Sequence, residues 1–345
     1  MKRLKVLVDR YLYFPSRDIL YVPPMTKAIT NLIRKDIADG YEICVITSVP
    51  PHSICIAGLM LKKNFPEIRW IVDWRDLWTY DDNYLARTPS LYRRGLYKLE
   101  SVILNRCDVN VTTNEFAKEV LRSKYNIRTE KLATVNHHFN SNGRNACSKT
   151  VIFSNKSGHE PIKIGFLGTL FKPPRVPGDQ LTKTIEKLRK DGLNLELHVF
   201  GKQAADVNTS SHHFAAKGII FHGHFDHSES MRRISGCDYL LVFLGDLPNC
   251  RSVMSLKLAH YIGLDRPILA IVPDPSAIAD IVRTTNTGHV IPVQSNWVSG
   301  LREFFSEPEN SAFNTQRNVQ EIEKFSWVNV SRQWVNVIDS HGNVN

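Results

Sequence analysis

The sequence predicts an α/β protein built from two successive domains, and three observations lead to this prediction. The chain has 345 residues, which is more than one hydrophobic core usually supports. Short apolar runs rich in Val and Ile alternate with segments of helical periodicity, a pattern typical of βαβ units and parallel sheets. The alternation restarts after a polar stretch, rich in Asn and Ser, at residues 140–158, which we interpret as a linker. We therefore expect two parallel-sheet domains facing each other across a ligand-binding cleft.

The predicted elements follow one another in both halves. The strands expected in the first half are Leu4–Val8, Glu42–Thr47, Arg69–Val72, Val109–Thr112 and Leu132–Val135. The helices expected between them are Met25–Ile37, Ser53–Lys63, Ser90–Asn105 and Asn114–Lys124. The second half predicts strands at Pro161–Leu167, Leu193–Gly201, Ile219–His222, Tyr239–Leu244 and Pro267–Val272, and helices at Gln180–Asp191 and Met254–Ile262. A last helix is expected at Phe325–Ile338, so the predicted division is 1–150, 151–324 and 325–345.

Composition excludes several classes of protein. The longest apolar runs are far too short to span a bilayer, and the N-terminal stretch has neither the apolar core nor the cleavage site of a signal peptide. The six cysteines are scattered without a CxxC pair, which indicates reduced thiols and neither a disulfide framework nor a zinc site. We therefore expect a cytoplasmic protein.

The positive charge is concentrated in the first half of the chain. The net charge is +10, and residues 1–150 contain 24 basic and 15 acidic residues, a net of +9. A basic half suits nucleic acid, an anionic membrane or a phosphorylated substrate. Because no nucleic-acid-binding motif is present, we expect no nucleic-acid partner. Helix Ser90–Asn105 combines basic and aromatic residues with leucines, which fits either contact with an anionic membrane or a solvated basic face.

Two segments of the second half carry candidate phosphate ligands. The strand ending at Gly168-Thr169 is followed by a loop with Lys172 and Arg175, where backbone N–H groups and two cations can approach a diphosphate. Ser255 and Lys257 lie in the first turn of a predicted helix, whose N-terminus favours anions. The alternatives are an exposed turn with incidental charges and an ordinary serine cap.

The segment from Ile71 to Thr79 carries candidate acid–base groups. Asp73 and Asp76 flank Arg75 where an apolar strand ends, which is where α/β enzymes place such groups. A structural ion pair between Arg75 and one of the aspartates is the alternative reading.

The cluster His222-Gly-His-Phe-Asp-His227 contains three imidazoles close in sequence. No cysteine or carboxylate cluster completes a metal shell, so we expect no metal site. Its position after a strand favours a loop that holds a nucleobase, with His222 and Phe225 as contacts.

Six motifs follow one another along the chain. In the first half they are Thr47-Ser-Val-Pro-Pro-His-Ser53, Asp73-Trp-Arg-Asp-Leu-Trp-Thr79 and Asn136-His-His-Phe-Asn140. In the second half they are Gly168-Thr-Leu-Phe with Arg175, Ser255-Leu-Lys-Leu-Ala-His-Tyr261 and Phe325-Ser-Trp327. In this order they resemble the motifs of retaining GT-B glycosyltransferases of the large bacterial family 4 type, which includes mannosyl-, galactosyl- and glucosyltransferases of surface polysaccharides.

The resemblance implies two Rossmann-like domains, with a nucleotide sugar bound by the second and a saccharide or lipid-linked acceptor bound by the first. It also implies that the last helix crosses back to the first domain and that diphosphate binding needs no metal or other cofactor. His260 stands where the family has a glutamate facing the donor, and Arg75 and Trp78 are implied acceptor contacts. The N-terminal region lacks the family's Gly-Gly loop.

The hypothesis that follows is hexosyl transfer with charge stabilisation by the basic loop. In a retaining reaction a donor phosphate oxygen takes the acceptor proton and Asp73 or Asp76 positions the acceptor, whereas in an inverting reaction one of them is the base. A catalytically silent GT-B protein that serves as an assembly partner is the alternative.

Overall fold

The computed structural model describes residues 13–139, 160–172, 175–203, 211–264, 266–306 and 317–340. The predicted strand Leu4–Val8 and the predicted linker at 140–158 lie outside these residues. The chain divides into two compact units, Met1–Asn136 with Ser331–Asn345, and His137–Val330. The boundaries at 150 and 324 remain predictions.

The described residues of unit 1 form a four-stranded parallel sheet in the order β1-β2-β3-β4. Its strands are β1 (Cys44–Val49), β2 (Arg69–Trp74), β3 (Val109–Thr112) and β4 (Leu132–Thr134). Its helices, which follow a 3-10 turn at Arg17–Tyr21, are α1 (Val22–Ala38), α2 (Ile54–Asn64), α3 (Asp82–Arg87), α4 (Ser90–Arg106) and α5 (Glu115–Tyr125). Because all strands are parallel, their carboxyl ends share one edge of the sheet.

The core of unit 1 is rich in tryptophan. Trp70 and Trp74 on β2 and Trp78 after it are fully buried against Leu96 and Ile103 of α4. Close packing requires a glycine beside them, since a Cβ at Gly58 would lie 2.3 Å from the indole nitrogen of Trp70. The strand end that carries the candidate acid–base groups is therefore supported by a closely packed core.

Unit 2 is built on a six-stranded parallel sheet in the order β12-β11-β10-β5-β8-β9, with the two-stranded antiparallel hairpin β6–β7 beside it. Its strands are β5 (Ile162–Leu167), β6 (Phe171–Lys172), β7 (Val176–Pro177), β8 (Leu195–Phe200), β9 (Ile219–Gly223), β10 (Tyr239–Phe243), β11 (Ile268–Val272) and β12 (Gly288–Pro292). Its helices are α6 (Gly178–Lys190), α7 (Ser211–Ala216), α8 (His227–Ile234), α9 (Leu256–Gly263), α10 (Ala277–Thr284), α11 (Trp297–Ser306), α12 (Val319–Glu323) and the start of α13 (Trp327–Asp339).

Helices cover both faces of this sheet. Leu240 and Val242 of β10 belong to a core on one face with residues of α9 and α10, whereas Leu241 and Phe243 belong to a second core with residues of α6 and α11. A strand that alternates between two apolar cores is apolar throughout, which explains the continuous hydrophobic run in the sequence.

Within the described residues every predicted strand and helix is found, with ends that differ by three residues or fewer. The sequence did not predict α3, α7, α8, α10, α11, α12, β12 or the hairpin β6–β7. These helices have ten residues or fewer. Helical periodicity is recognised over windows of about 11–18 residues, and these helices are shorter than that.

Candidate functional site

The carboxyl end of β5 is the structural basis of the first candidate site. Gly168 follows the strand with φ +125°, and its N–H donates to the carbonyl oxygen of Phe200 at 2.7 Å. A Cβ at Gly201, itself at φ +150°, would lie 2.7 Å from the Gly168 oxygen. Two glycines are therefore needed where these neighbouring strand ends meet.

Gln203 fixes the turn that follows β5. Its Nε2 donates to the carbonyl oxygens of Gly168 (2.9 Å) and Gly201 (3.1 Å), and its Oε1 accepts from the N–H of Leu170 at 2.9 Å. The Thr169 hydroxyl donates to the carbonyl oxygen of Lys202 at 3.0 Å. Gln203 was not predicted as a site residue, because nothing local in the sequence links it to a glycine 35 positions earlier.

Lys257 lies beside this turn. Its Nζ is 3.4 Å from the position of a Cβ on Gly168 and 4.5 Å from the centre of the Phe166 ring. Ser255 caps α9, with its hydroxyl accepting from the Lys257 N–H at 3.3 Å. Burial lowers the pKa of Lys257 to about 8, and the nearby charges of Arg175 and Lys172 add to this effect.

We call Gly168, Lys172, Arg175 and Lys257 the basic site. Lys172 lies on β6, and the Arg175 carbonyl accepts from the N–H of Gly245 at 2.7 Å. Among the residues described, none of the three cations has a carboxylate partner. Three mutually repelling cations beside a glycine turn make a site for a polyvalent anion.

The predicted base contacts are held by aromatic partners. The His222 ring stacks on Phe200, with centroids 4.5 Å apart, and shares a hydrogen bond with His198. The guanidinium of Arg233 lies 4.1 Å from the centre of the Phe225 ring. One face of the His222 ring and one face of the Phe225 ring are thus already covered by other side chains of the protein.

His260 lies on α9 next to other imidazoles. Its ring centroid is 4.6 Å from that of His227. Burial, followed by the nearby His227 and His138, lowers the pKa of His260 to about 4. It is therefore neutral at pH 7, unlike the glutamate that the resemblance implies there. Over the described ranges no group of His, Cys, Asp or Glu side chains is arranged to hold a metal ion.

The second candidate site, in unit 1, lies at the end of β2. The buried Asp73 accepts hydrogen bonds from Arg75 Nε and Ser48 Oγ, each at 2.8 Å. The ion pair between Asp73 and Arg75, which the sequence offered as an alternative interpretation of this segment, is thus present. Arg75 also lies 5.8 Å from the centre of the Trp334 ring on α13.

Asp76 differs from Asp73 in that its side chain is exposed. Its backbone oxygen lies 3.0 Å from His52 Nε2, and the His52 ring stacks on Trp78 at 5.0 Å. Burial lowers the pKa of His52, and the hydrogen bond to Asp76 opposes this effect. His52 was not predicted as a site residue, although it belongs to the Pro-Pro-His segment.

The expectation that Trp78 contacts an acceptor requires a correction. Its side chain is 0% exposed. A residue without accessible surface cannot bind a ligand directly, so Trp78 instead supports the His52 ring.

A buried network anchors the chain just after Trp78. Glu100, 1% exposed on α4, accepts hydrogen bonds from the N–H and hydroxyl of Thr79 and from the Tyr125 hydroxyl. Lys124 Nζ donates to the carbonyl oxygen (3.0 Å) and hydroxyl (2.7 Å) of Thr79. The network fixes the end of the segment that carries Asp76.

Comparison with solved structures identifies the fold. The apo form of the lipopolysaccharide outer core galactosyltransferase WaaB matches with TM-score 0.63 at 13% identity, covering 94% of this chain and 81% of that one. Anabaena HepE in complex with UDP matches with TM-score 0.66 at 10% identity, covering 92% and 82%. A glycosyltransferase from Rickettsia africae matches with TM-score 0.62 at 11% identity, covering 94% and 82%. No family model and no curated protein matches the sequence. The chain has the GT-B fold, with two Rossmann-like domains.

Proposed function

We propose that this protein is a glycosyltransferase that moves a hexosyl residue from a nucleotide-diphosphate sugar to a saccharide or lipid-linked saccharide. The observation that supports this most is the basic site, where Lys172, Arg175 and Lys257 lie without a carboxylate partner among the described residues. A diphosphate supplies the missing negative charge, and the same cations stabilise that charge as the glycosidic bond breaks. Because Lys and Arg supply the counter-charge, the proposal needs no metal or other cofactor.

We infer retention of configuration and a role in surface polysaccharide synthesis in the cytoplasm, as the motif resemblance implies. A donor phosphate oxygen takes the acceptor proton, while the exposed carboxylate of Asp76 positions the acceptor hydroxyl. If the reaction inverts, Asp76 is the base. The basic first half of the chain supports peripheral contact with an anionic membrane that carries a lipid-linked acceptor.

Calorimetric titration with UDP tests the donor site, since UDP is bound in the HepE structure. Lys257→Met and Arg175→Ala should each weaken binding by about 1.5–3 kcal/mol, the usual value of a hydrogen bond to a charged group. Lys183→Ala, which removes an exposed charge from α6, is the matched control and should bind normally.

The titrations are made in excess chelator. Binding that appears only after Mn²⁺ is added would contradict the metal-free proposal. Unchanged affinity in both site variants would remove the diphosphate from the basic site.

A catalytically silent GT-B protein that binds a nucleotide sugar or serves as an assembly partner is the second candidate, and His260 is the observation that favours it. A neutral imidazole at this position provides no negative charge for sugar hydroxyls. Nucleotide binding without transfer or hydrolysis of any sugar nucleotide would select this alternative.

A further inference from the structure

A chain of hydrogen bonds runs across two neighbouring strands of unit 2, outside the basic site. Glu196 Oε2 on β8 lies 3.1 Å from Nε2 of His198 on the same strand. His198 Nδ1 lies 2.9 Å from Nε2 of His222 on β9. The His222 ring also stacks on Phe200 at an interplanar angle of 7°, so its plane is fixed.

The carboxylate of Glu196 determines which nitrogen atoms of His198 and His222 donate in these hydrogen bonds. An ionised carboxylate only accepts hydrogen bonds, so His198 Nε2 must carry a proton. Burial lowers the pKa values of His198 and His222, so both rings are neutral at pH 7. A neutral His198 protonated at Nε2 accepts at Nδ1, and His222 must donate from Nε2. His222 Nδ1 then keeps a lone pair, and none of the residues described donates to it.

The sheet places His222 one residue before the end of β9. Gly223 at that end accepts through its carbonyl from Gly201 N–H at 2.7 Å, and Gly201 touches Gly168 of the basic site. The ends of β5, β8 and β9 are thus consecutive. Two strand spacings separate the first from the last by about 10 Å. A nucleoside whose diphosphate occupies the basic site can extend along this edge toward His222.

We propose that His222 is a specificity-determining residue whose Nδ1 accepts a hydrogen bond from a ring N–H of the nucleobase. The site then prefers bases with a protonated ring nitrogen on the pairing edge, such as uracil or guanine. It rejects cytosine and adenine, which have a lone pair at that nitrogen. Glu196 and His198 are positioning residues, because they set the tautomer of His222 without touching the base. This inference rests on the proposed function, since the basic site must hold the diphosphate.

The tautomer is tested without any ligand. ¹⁵N spectra of the imidazoles at pH 7 should show His222 protonated at Nε2 and unprotonated at Nδ1. Glu196→Ala should mix the tautomers of His198 and His222. Glu303→Ala, which removes an exposed carboxylate from α11, should leave them unchanged. A wild-type His222 protonated at Nδ1 would overturn the inference.

Base recognition is tested by titrating UDP, N3-methyl-UDP and CDP, which share ribose and diphosphate. Wild type should bind UDP at least about tenfold more tightly than the other two, as expected for one hydrogen bond in a desolvated site. His222→Phe keeps a flat ring on Phe200 and should bind all three alike. Equal wild-type affinity for UDP and N3-methyl-UDP would sink the inference but leave the proposed function intact. If none of UDP, GDP, ADP and CDP binds, it is the proposed function that fails, whereas tighter binding of ADP or CDP than of UDP and GDP would overturn the inference alone.

Discussion

At the scale of the residue, Lys257 is a cation held in an environment that disfavours its charge. Burial and two neighbouring cations lower its pKa to about 8, so part of the population is neutral at mildly alkaline pH. A diphosphate bound there, as the proposed function requires, would stabilise the ammonium form and raise the pKa of Lys257 again. Ligand binding and protonation of Lys257 are therefore linked.

This linkage predicts that UDP affinity falls as pH rises through about 8, because free Lys257 loses its proton there and must regain it on binding. Calorimetry near pH 8 in two buffers of different ionisation enthalpy should detect proton uptake. Lys257→Met should abolish the uptake and flatten the pH dependence. Wild-type binding without proton uptake would refute the link.

We expect substitution of the two aspartates at the end of β2 to cause different defects. Asp76→Asn should lower turnover by about 10²-fold with nucleotide affinity nearly unchanged, because in the proposed function the exposed carboxylate positions the acceptor hydroxyl. Asp73→Asn should mainly lower stability, by about 1–3 kcal/mol, because it weakens two part-buried hydrogen bonds. Melting curves beside turnover assays separate the two effects. The reverse pattern would exchange the roles, and full activity in both would exclude this segment from the chemistry.

At the scale of the element, α4 fixes the loop after β2 through one buried carboxylate. Glu100→Gln places an NH₂ group among Thr79 and Tyr125 donors and should reduce the free energy of unfolding by about 1–3 kcal/mol. The exposed Glu67→Gln is the control. Urea unfolding measures both variants, and equal stability of the two would show that the Glu100 network contributes little.

Whether an element or a site residue could be predicted depended on whether its signal lies within a short segment of the sequence. Strands and long helices were predicted because the signal for each is local: β10 is a continuous apolar run, and the 17 residues of α4 repeat apolar positions over several turns. Gly168, Arg175 and Lys257 could be proposed as site residues from the sequence because small residues and cations stand together in short segments. Glu100 and Gln203 were not, since each looks like an ordinary polar residue until the fold brings a partner from 21 or 35 positions away.

At the scale of the whole molecule, the charge is divided unevenly, with a net of +9 in the first 150 residues out of +10 overall. Leu91 at the start of α4 is 80% exposed, and Arg93 and Arg94 beside it are exposed as well. No helix in the described part of the chain is long and apolar enough to cross a membrane. An exposed leucine beside basic side chains suits peripheral binding to anionic lipid.

We therefore expect salt-reversible binding to anionic vesicles and none to neutral ones, with each well-placed cation contributing about 1 kcal/mol. Reversal of Arg93 and Arg94 to glutamate should weaken co-sedimentation. Reversal of Lys183 and Lys187 on α6 changes the total charge equally and should have a smaller effect. If both double variants co-sediment like wild type, the basic face of α4 is only solvated.

The hydrogen bonds that Gln203 makes to the turn after β5 have a consequence for the kinetics of ligand binding. The turn is already held by three hydrogen bonds, so it loses little conformational freedom when a ligand binds. Binding of UDP therefore does not require a preceding rearrangement of this turn. Stopped-flow traces with UDP should then be single exponentials whose rate constant rises linearly with concentration. In Gln203→Ala the observed rate constant should reach a plateau at high UDP concentration. Such a plateau indicates a conformational change of the turn that limits binding, which the wild-type turn does not need because it is already ordered in the folded protein.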